Sequence, residues 1–158
     1  MIQVQFNKDQ LVNIFSTALY GNNALGADCG VQVNPNSKFY EAIDPDDQDE
    51  DTLEDSLSQH LLNGGTLILW DLYAEEDDDV QGKYADTAFW DEELDWMGYP
   101  VTYEEMMRRI NKVLADGGDD AQFCAKLVAK VESEDVSFDL WDGWNLVQYI
   151  MFGELIYG

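Results

Sequence analysis

The sequence predicts an α+β fold, with a small mixed or antiparallel sheet and four to five helices. Two observations predict it. Apolar residues recur at helical spacing in stretches bounded by capping residues and glycines, and other short stretches are rich in aliphatic and aromatic residues. Length and composition agree, because 158 residues fit one domain and 46% hydrophobic residues suffice for a packed core. We therefore expect residues 1–158 to form a single domain.

The N-terminal part is predicted to contain one helix among short strands. Asn7 or Asp9 is expected to cap the helix, which carries apolar residues at helical spacing and ends before Gly21. Residues 22–38 are rich in glycine and asparagine and are predicted to be mostly loop. The predicted strands of this part lie at residues 2–6, 31–33 and 39–43.

The middle of the chain is predicted to contain a helix followed by a strand. Thr52 with Asp55 three residues later resembles a capping box, which starts a helix that runs to about Leu62. Gly64 and Gly65 follow it and are expected to end it. Residues 66–73 are rich in leucine, isoleucine and aromatic residues and therefore predict a strand.

Two further helices are predicted after residue 101. Thr102 and Glu105 form a second capping box at the start of the first helix, which Gly117 is expected to end. Asp119 or Asp120 is expected to cap the second.

The C-terminal region is predicted to contain an extended piece at 136–140 and a helix at 144–152. This helix is apolar on most sides, so we expect it to be the central helix or to lie at a dimer seam. Trp141 and Trp144 are expected in the core.

The negative charge is concentrated in one third of the chain. The net charge is −25, from 33 acidic and 8 basic residues, and residues 41–95 hold 20 of the acids with one base, Lys83. The acids are dense in segments 41–55 and 71–95. They form three groups: Asp44, Asp46, Asp47, Asp49, Glu50, Asp51, Glu54 and Asp55; Glu75, Glu76, Asp77, Asp78 and Asp79; and Asp91, Glu92, Glu93 and Asp95.

Such crowding opposes compaction, because like charges at close range repel one another. One explanation is that the carboxylates stand in for phosphates. Duplex DNA carries one charge per ~1.7 Å, so the net charge matches ~40 Å of duplex. Trp90 and Trp96 flank the third group, either as interface anchors or as core residues. The three acidic groups with Trp90 and Trp96 are the predicted partner-binding residues.

In size, net charge and the placing of carboxylate runs on an aromatic-rich body, the chain resembles the small acidic anti-defence proteins of phages and mobile elements. These antirestriction and anti-CRISPR proteins are DNA mimics. The resemblance implies an inhibitor that occupies the cationic nucleic-acid channel of a CRISPR effector or restriction enzyme. It implies no role for any individual residue. The expected partner is a basic nucleic-acid-binding protein, not nucleic acid itself or a membrane, and the inhibitor is either a monomer or a homodimer.

Divalent-cation binding is an alternative. An EF-hand loop needs oxygen ligands at positions 1, 3 and 5, glycine at 6 and glutamate at 12. A loop starting at Asp77 has Gly82 at position 6, but Ala88 stands at position 12. In a loop from Asp44 to Asp55, position 6 is Asp49. Neither fits, so we expect no dedicated metal site and no cofactor. Adaptation to high salt is a weaker alternative, because it spreads acidity over the whole surface.

Another alternative is an acidic adaptor or chaperone of a basic nucleic-acid-binding protein. An enzyme is the least supported class, because the sequence has no nucleophile, phosphate-loop or zinc-protease motif. His60 is expected to bond the last carbonyls of its helix, and Cys124 is expected to be a buried, inert thiol. Cys29 lies in a predicted loop. Two cysteines and no visible targeting segment favour a reducing cytoplasm.

Overall fold

The computed structural model describes residues 3–18, 29–33, 53–75, 82–92 and 95–157. Within them it contains five α-helices and a four-stranded sheet, which confirms the predicted α+β class. The helices are α1 (Lys8–Ala18), α2 (Leu53–Leu62), α3 (Tyr103–Asp116), α4 (Gly118–Glu132) and α5 (Leu140–Phe152). The strands are β1 (Cys29–Val33), β2 (Thr66–Asp71), β3 (Phe89–Asp91) and β4 (Trp96–Thr102). None of the described helices is long and apolar enough to cross a bilayer.

The sheet is antiparallel at every described pairing, in the order β1-β2-β4-β3. Because side chains alternate along a strand, β2 has two different faces. Leu67 and Leu69 join the main hydrophobic core, whereas Ile68 and Trp70 lie on the opposite face. We call the face that bears Trp70 the outer face.

Helix α5 is the central helix of the fold. Every residue from Gly143 to Phe152 is buried, and the helix contacts α1, α3 and α4. Its last residue, Phe152, packs edge-on against Tyr99 of β4 at a ring distance of 5.2 Å, which joins the helices to the sheet. The helix ends at Gly153, whose left-handed conformation (φ 73°) suits glycine. The prediction of a central helix is confirmed, although the helix begins at Leu140 and not at Trp144.

Two helix starts follow the predicted capping chemistry. At α1, Asn7 Oδ1 accepts from the Gln10 N–H at 2.9 Å, and Gln10 Oε1 accepts from the Asn7 N–H at 2.8 Å. At α3, Thr102 Oγ1 accepts from the Glu105 N–H at 3.2 Å. Each contact satisfies an N–H that has no partner within the helix. The predicted cap of α2 at Thr52 and the end of α1 at Gly21 lie outside the described residues.

The predicted strand at residues 2–6 is wrong for its described part. Residues 3–7 are irregular, and the side-chain amide of Asn111 takes the place of a neighbouring strand. Asn111 Oδ1 accepts from the Val4 N–H at 2.7 Å, and Asn111 Nδ2 donates to the Val4 carbonyl at 3.0 Å. The alternating pattern correctly marks Phe6 as buried, but the segment pairs with helix α3 and not with the sheet.

Two predictions near α4 and α5 are also wrong. Gly117, not Asp119 or Asp120, is the N-cap of α4, and the two aspartates lie in its first turn, where the helix dipole favours them. Residues 136–140 form no strand. Val136 lies in a turn, and α5 begins at Leu140 because Asp139 and Asp142 form a capping box there.

The hairpin of β3 and β4 is absent from the sequence-based prediction. Pro100 in β4 argues against a strand, because proline cannot donate to a ladder. However, β3 pairs only with Trp96–Gly98, so at Pro100 β4 has no described partner strand on the β3 side. The predicted strand at 39–43 lies outside the described residues. The strand at 31–33 is confirmed within β1, but β1 begins at Cys29, so the predicted loop at Cys29 is wrong. The strand at 66–73 is confirmed up to Asp71.

Candidate functional site

The third predicted acidic group lies at the end of the sheet at which β2 also ends. In the register of the strands, Asp71 at the end of β2 lies opposite Met97, and Asp91 at the end of β3 lies opposite Trp96. The Asp95 N–H donates to the Asp91 carbonyl at 2.9 Å and closes the connection between β3 and β4. We call residues 91–95 the acidic turn. The chain that leaves β2 is thus two strand spacings, about 10 Å, from this turn.

Apart from the buried Asp71, the described carboxylates near this end are exposed or half-buried. Glu75 lies four residues beyond Asp71, a reach of at most about 14 Å, and is exposed. In the acidic turn, Glu92 and Asp95 are exposed and Asp91 is half-buried. Asp95 adopts a left-handed conformation (φ 58°), which aspartate tolerates better than most residues. These four side chains are the described part of the candidate site.

The other predicted acidic residues divide into two sets. Glu54 and Asp55 are half-buried in the first turn of α2, where negative charge interacts favourably with the helix dipole. The rest lie outside the described residues: Asp44, Asp46, Asp47, Asp49, Glu50, Asp51, Glu76, Asp77, Asp78, Asp79 and Glu93.

The ion pairs between described residues all lie away from the candidate site. Arg109 contacts Glu105 at 3.3 Å, Lys112 contacts Asp116 at 3.1 Å, and Lys130 contacts Asp142 at 3.0 Å. All three lie among α3, α4 and α5. Three of the scarce bases therefore pair with acids of the helical part, and no described base forms an ion pair with a described carboxylate of residues 41–95.

The two predicted tryptophans lie on opposite faces of the sheet. Trp90 pairs with Met97 in the register and packs, partly buried, against the main core. Trp96 is on the outer face, half-buried, with its ring 6.0 Å from that of Trp70. Only Trp96 is thus placed on the outer face beside the acidic turn.

Trp141 is not one of the predicted site residues. The sequence predicts it in the core, and this prediction is wrong. Trp144 is buried, but Trp141 is 50% exposed in the first turn of α5. The helix places the two side chains at different depths, because Trp141 precedes the stretch that α1, α3 and α4 enclose.

Asp71 differs from the other acids of this region and was not singled out by the sequence. It is 2% exposed and faces the core side of the sheet. Its carboxylate accepts from the Tyr73 N–H at 2.9 Å and from the Tyr157 hydroxyl at 2.8 Å. Burial raises the pKa of Asp71 above its usual value, although these hydrogen bonds act in the opposite direction. Asp71 therefore fastens the C-terminal segment to the sheet and presents no charge to a partner.

The side chains of His60 and Cys124 are both buried in the fold. His60 is buried, and its Nε2 lies 3.3 Å from the carbonyl of Thr66 in β2, not from a carbonyl of its own helix as predicted. Burial lowers the pKa of His60. Cys124 is fully buried, and burial raises the pKa of its thiol to about 12, which makes the reactive thiolate rare.

The described part of the predicted EF-hand-like segment packs against α5. The Lys83 N–H donates to the Phe152 carbonyl at 2.7 Å. A Cβ at Gly82 would lie 2.8 Å from Phe152 Cβ, so the close approach depends on glycine. Residues 77–81 lie outside the described part. Among the described residues, no group of three or more histidine, cysteine or acidic side chains could hold a metal ion.

Two grooves of the described surface lie elsewhere. One of about 510 Å³ runs between residues 3–5 and α3, and one of about 410 Å³ lies between α1 and residues 131–138. Neither is lined by Glu75 or by the acidic turn. The described residues of the candidate site that are exposed, Glu75, Glu92 and Asp95, are accessible to a macromolecule.

Comparisons with known proteins give no match: no family model, no curated protein and no solved structure is significantly similar to this chain.

Proposed function

We propose that this protein is a DNA-mimic inhibitor. It binds the cationic nucleic-acid channel of a host defence protein, a CRISPR effector or restriction enzyme, and blocks the access of DNA. It acts by binding and not by catalysis, and it works in the cytoplasm, where such enzymes meet DNA.

The observation that supports this proposal most is the exposure of Glu92 and Asp95 in the acidic turn. Glu92 and Asp95 are exposed at the end of the sheet, Glu75 is exposed four residues after β2 ends, and the ion pairs between described residues lie elsewhere. An unneutralised cluster of this kind attracts a basic surface over long range and accelerates association with it.

Because the contact is spread over many carboxylates, no single one should dominate. An exposed ion pair contributes about 0–1 kcal/mol. The free energy of binding would therefore come from the number of pairings and from the exclusion of water around them. This distribution of charge suits a DNA channel, which also binds phosphates collectively.

Two other functions remain as alternatives because dense carboxylates also serve them. The protein could bind divalent cations through acids outside the described residues. It could also be an adaptor or chaperone that holds a basic nucleic-acid-binding protein without competing with DNA.

Competition against DNA tests the proposal. A fluorescent duplex is bound to each member of a panel of purified CRISPR effectors and restriction enzymes, and the protein is titrated in. We expect displacement of DNA from at least one member, weakened in graded fashion in the variant Asp77→Asn, Asp78→Asn, Asp79→Asn. Far-ultraviolet circular dichroism should show that this variant remains folded.

Three results would overturn the proposal. A complex that forms while DNA stays bound would favour the adaptor. A rise in melting temperature with Ca²⁺ far beyond that with NaCl of equal ionic strength would favour cation binding. Loss of the fold in the triple variant would assign that run a structural role.

A further inference from the structure

The outer face of the sheet carries an aromatic cluster beside the acidic turn. Trp70 and Phe89 both lie opposite Gly98 in the register, and their rings meet edge-on at 5.6 Å. Trp96 lies two residues before Gly98 on the same face, with its ring 6.0 Å from that of Trp70. We call Trp70, Phe89 and Trp96 the aromatic cluster.

The arrangement depends on the missing side chain at position 98. A Cβ there would lie 2.7 Å from Phe89 Cζ and 2.8 Å from Trp70 Cζ3. Both rings can therefore lie directly over the backbone of β4. Trp70 is buried and is the base of the cluster, whereas Phe89 is 37% exposed and Trp96 is half-buried. The accessible part of the cluster is the surface of Phe89 and Trp96.

Carboxylates border this accessible part. Asp91 is the cross-strand neighbour of Trp96 on the same face, and Glu92 and Asp95 follow in the turn. A ring face attracts a cation, and a carboxylate next to it can accept hydrogen bonds from that cation. Among side chains, a guanidinium combines both contacts best, because it is planar and less strongly hydrated than an ammonium group.

The protein contains an internal example of this combination. The guanidinium carbon of Arg109 lies 3.9 Å from the centre of the Tyr84 ring, and its Nη2 lies 3.3 Å from Glu105 Oε2. Ring, guanidinium and carboxylate are thus compatible at these distances within this fold.

We propose that Phe89 and Trp96, with the carboxylates of Glu92 and Asp95, form a docking site for an arginine side chain of the basic partner. This inference rests on the proposed function and adds to it a preference for arginine over lysine. Net charge alone gives no such preference. Paired hydrogen bonds from a guanidinium to a carboxylate also favour arginine, so the share that the rings supply is the part lost when a ring is removed.

Two peptides of equal charge, eight arginines and eight lysines, test the proposal by isothermal titration calorimetry at low salt. We expect the arginine peptide to bind the parent about two- to fivefold more tightly, the gain typical of a cation over an exposed ring. The preference for the arginine peptide should fall in Phe89→Leu and also in Trp96→Leu. The affinity of each variant for the lysine peptide should change by less than about twofold. Near-ultraviolet circular dichroism and the melting temperature show that each variant is folded.

Trp141→Leu is the matched control, because Trp141 is an exposed ring in α5 and lies outside the sheet. It should retain the arginine preference. In the parent, the indole N–H resonance of Trp96 should shift more with the arginine peptide than with the lysine peptide.

Equal affinities of the parent for the two peptides would overturn the docking site and leave the proposed function standing. A preference retained in both sheet variants, or lost in Trp141→Leu, would also overturn it. If neither peptide binds at low salt, the proposed function fails with it.

Discussion

Asp71 is an acidic residue whose side chain is buried on the core side of the sheet. Among the described acids of residues 41–95, it alone is buried, and it holds the Tyr157 hydroxyl and the Tyr73 N–H. The residues next to Asp71 in the sequence do not indicate this role, because an acid at the end of a strand is usually solvated. The contact that explains it comes from a tyrosine 86 residues away.

We predict that Asp71→Asn removes a pH-dependent destabilisation. Burial raises the pKa of Asp71 in the folded state above the unfolded value near 3.8. The stability that this group contributes is therefore full below that value and is lost as the pH rises through the folded-state pKa. The free energy of unfolding of Asp71→Asn, minus that of the parent, should rise over this interval in urea titrations. A difference that falls with pH would contradict the assignment.

At the scale of elements, the helices were predictable because their signals are local. Thr102 with Glu105, Asn7 with Gln10, and the glycines at 64 and 117 act within one or two turns of the chain. A single sequence contains all of this information, so helix positions agree closely with the structure.

Strand partners were less predictable because they are set by contacts distant in sequence. Residues 2–6 alternate like a strand, but Val4 pairs with the side chain of Asn111, and Pro100 lies in a strand despite its missing N–H. The candidate site shows the same limit. Sequence identified the acids and Trp96, but not that Trp90 faces the core or that Phe89 joins Trp96 on the outer face.

The hydrogen bonds that join the N-terminal segment to α3 give a prediction at the scale of elements. In Asn111→Ala, the segment loses two backbone hydrogen bonds from Val4 to α3. We expect a loss of about 1–3 kcal/mol in the free energy of unfolding, partly offset because alanine favours a helix more than asparagine does. Urea denaturation measures it. Gln122→Ala, at an exposed position of α4, is the control. An equal effect in both variants would contradict the stabilising role of the hydrogen bonds between Asn111 and Val4.

Over the whole molecule, charge and apolar packing are separated. The hydrophobic core brings together all five helices, β2 and β4, while the ion pairs between described residues lie among α3, α4 and α5. Residues 41–95 hold 20 of the 33 acids and one base. Self-repulsion in this segment must therefore be offset by burial elsewhere.

This separation predicts a dependence of stability on salt. The melting temperature should rise with NaCl from about 20 to 300 mM, because screening weakens the repulsion between carboxylates. Differential scanning calorimetry measures it. A flat response would mean that the carboxylates are already neutralised by partners within the fold.

The central claim is that the acids at the end of the sheet contact the partner, and a pair of charge-matched variants tests it most directly. One combines Glu75→Gln, Glu92→Gln and Asp95→Asn; the other combines Asp119→Asn, Glu132→Gln and Glu134→Gln at exposed positions on or just after α4. Each removes three negative charges, so the long-range attraction changes equally.

The measurement is the displacement of duplex DNA from the defence enzyme that the parent inhibits. We predict that the first variant is about tenfold weaker than the parent and that the second stays within about twofold of it. Equal loss in both variants, or a greater loss in the second, would contradict the location of the binding surface.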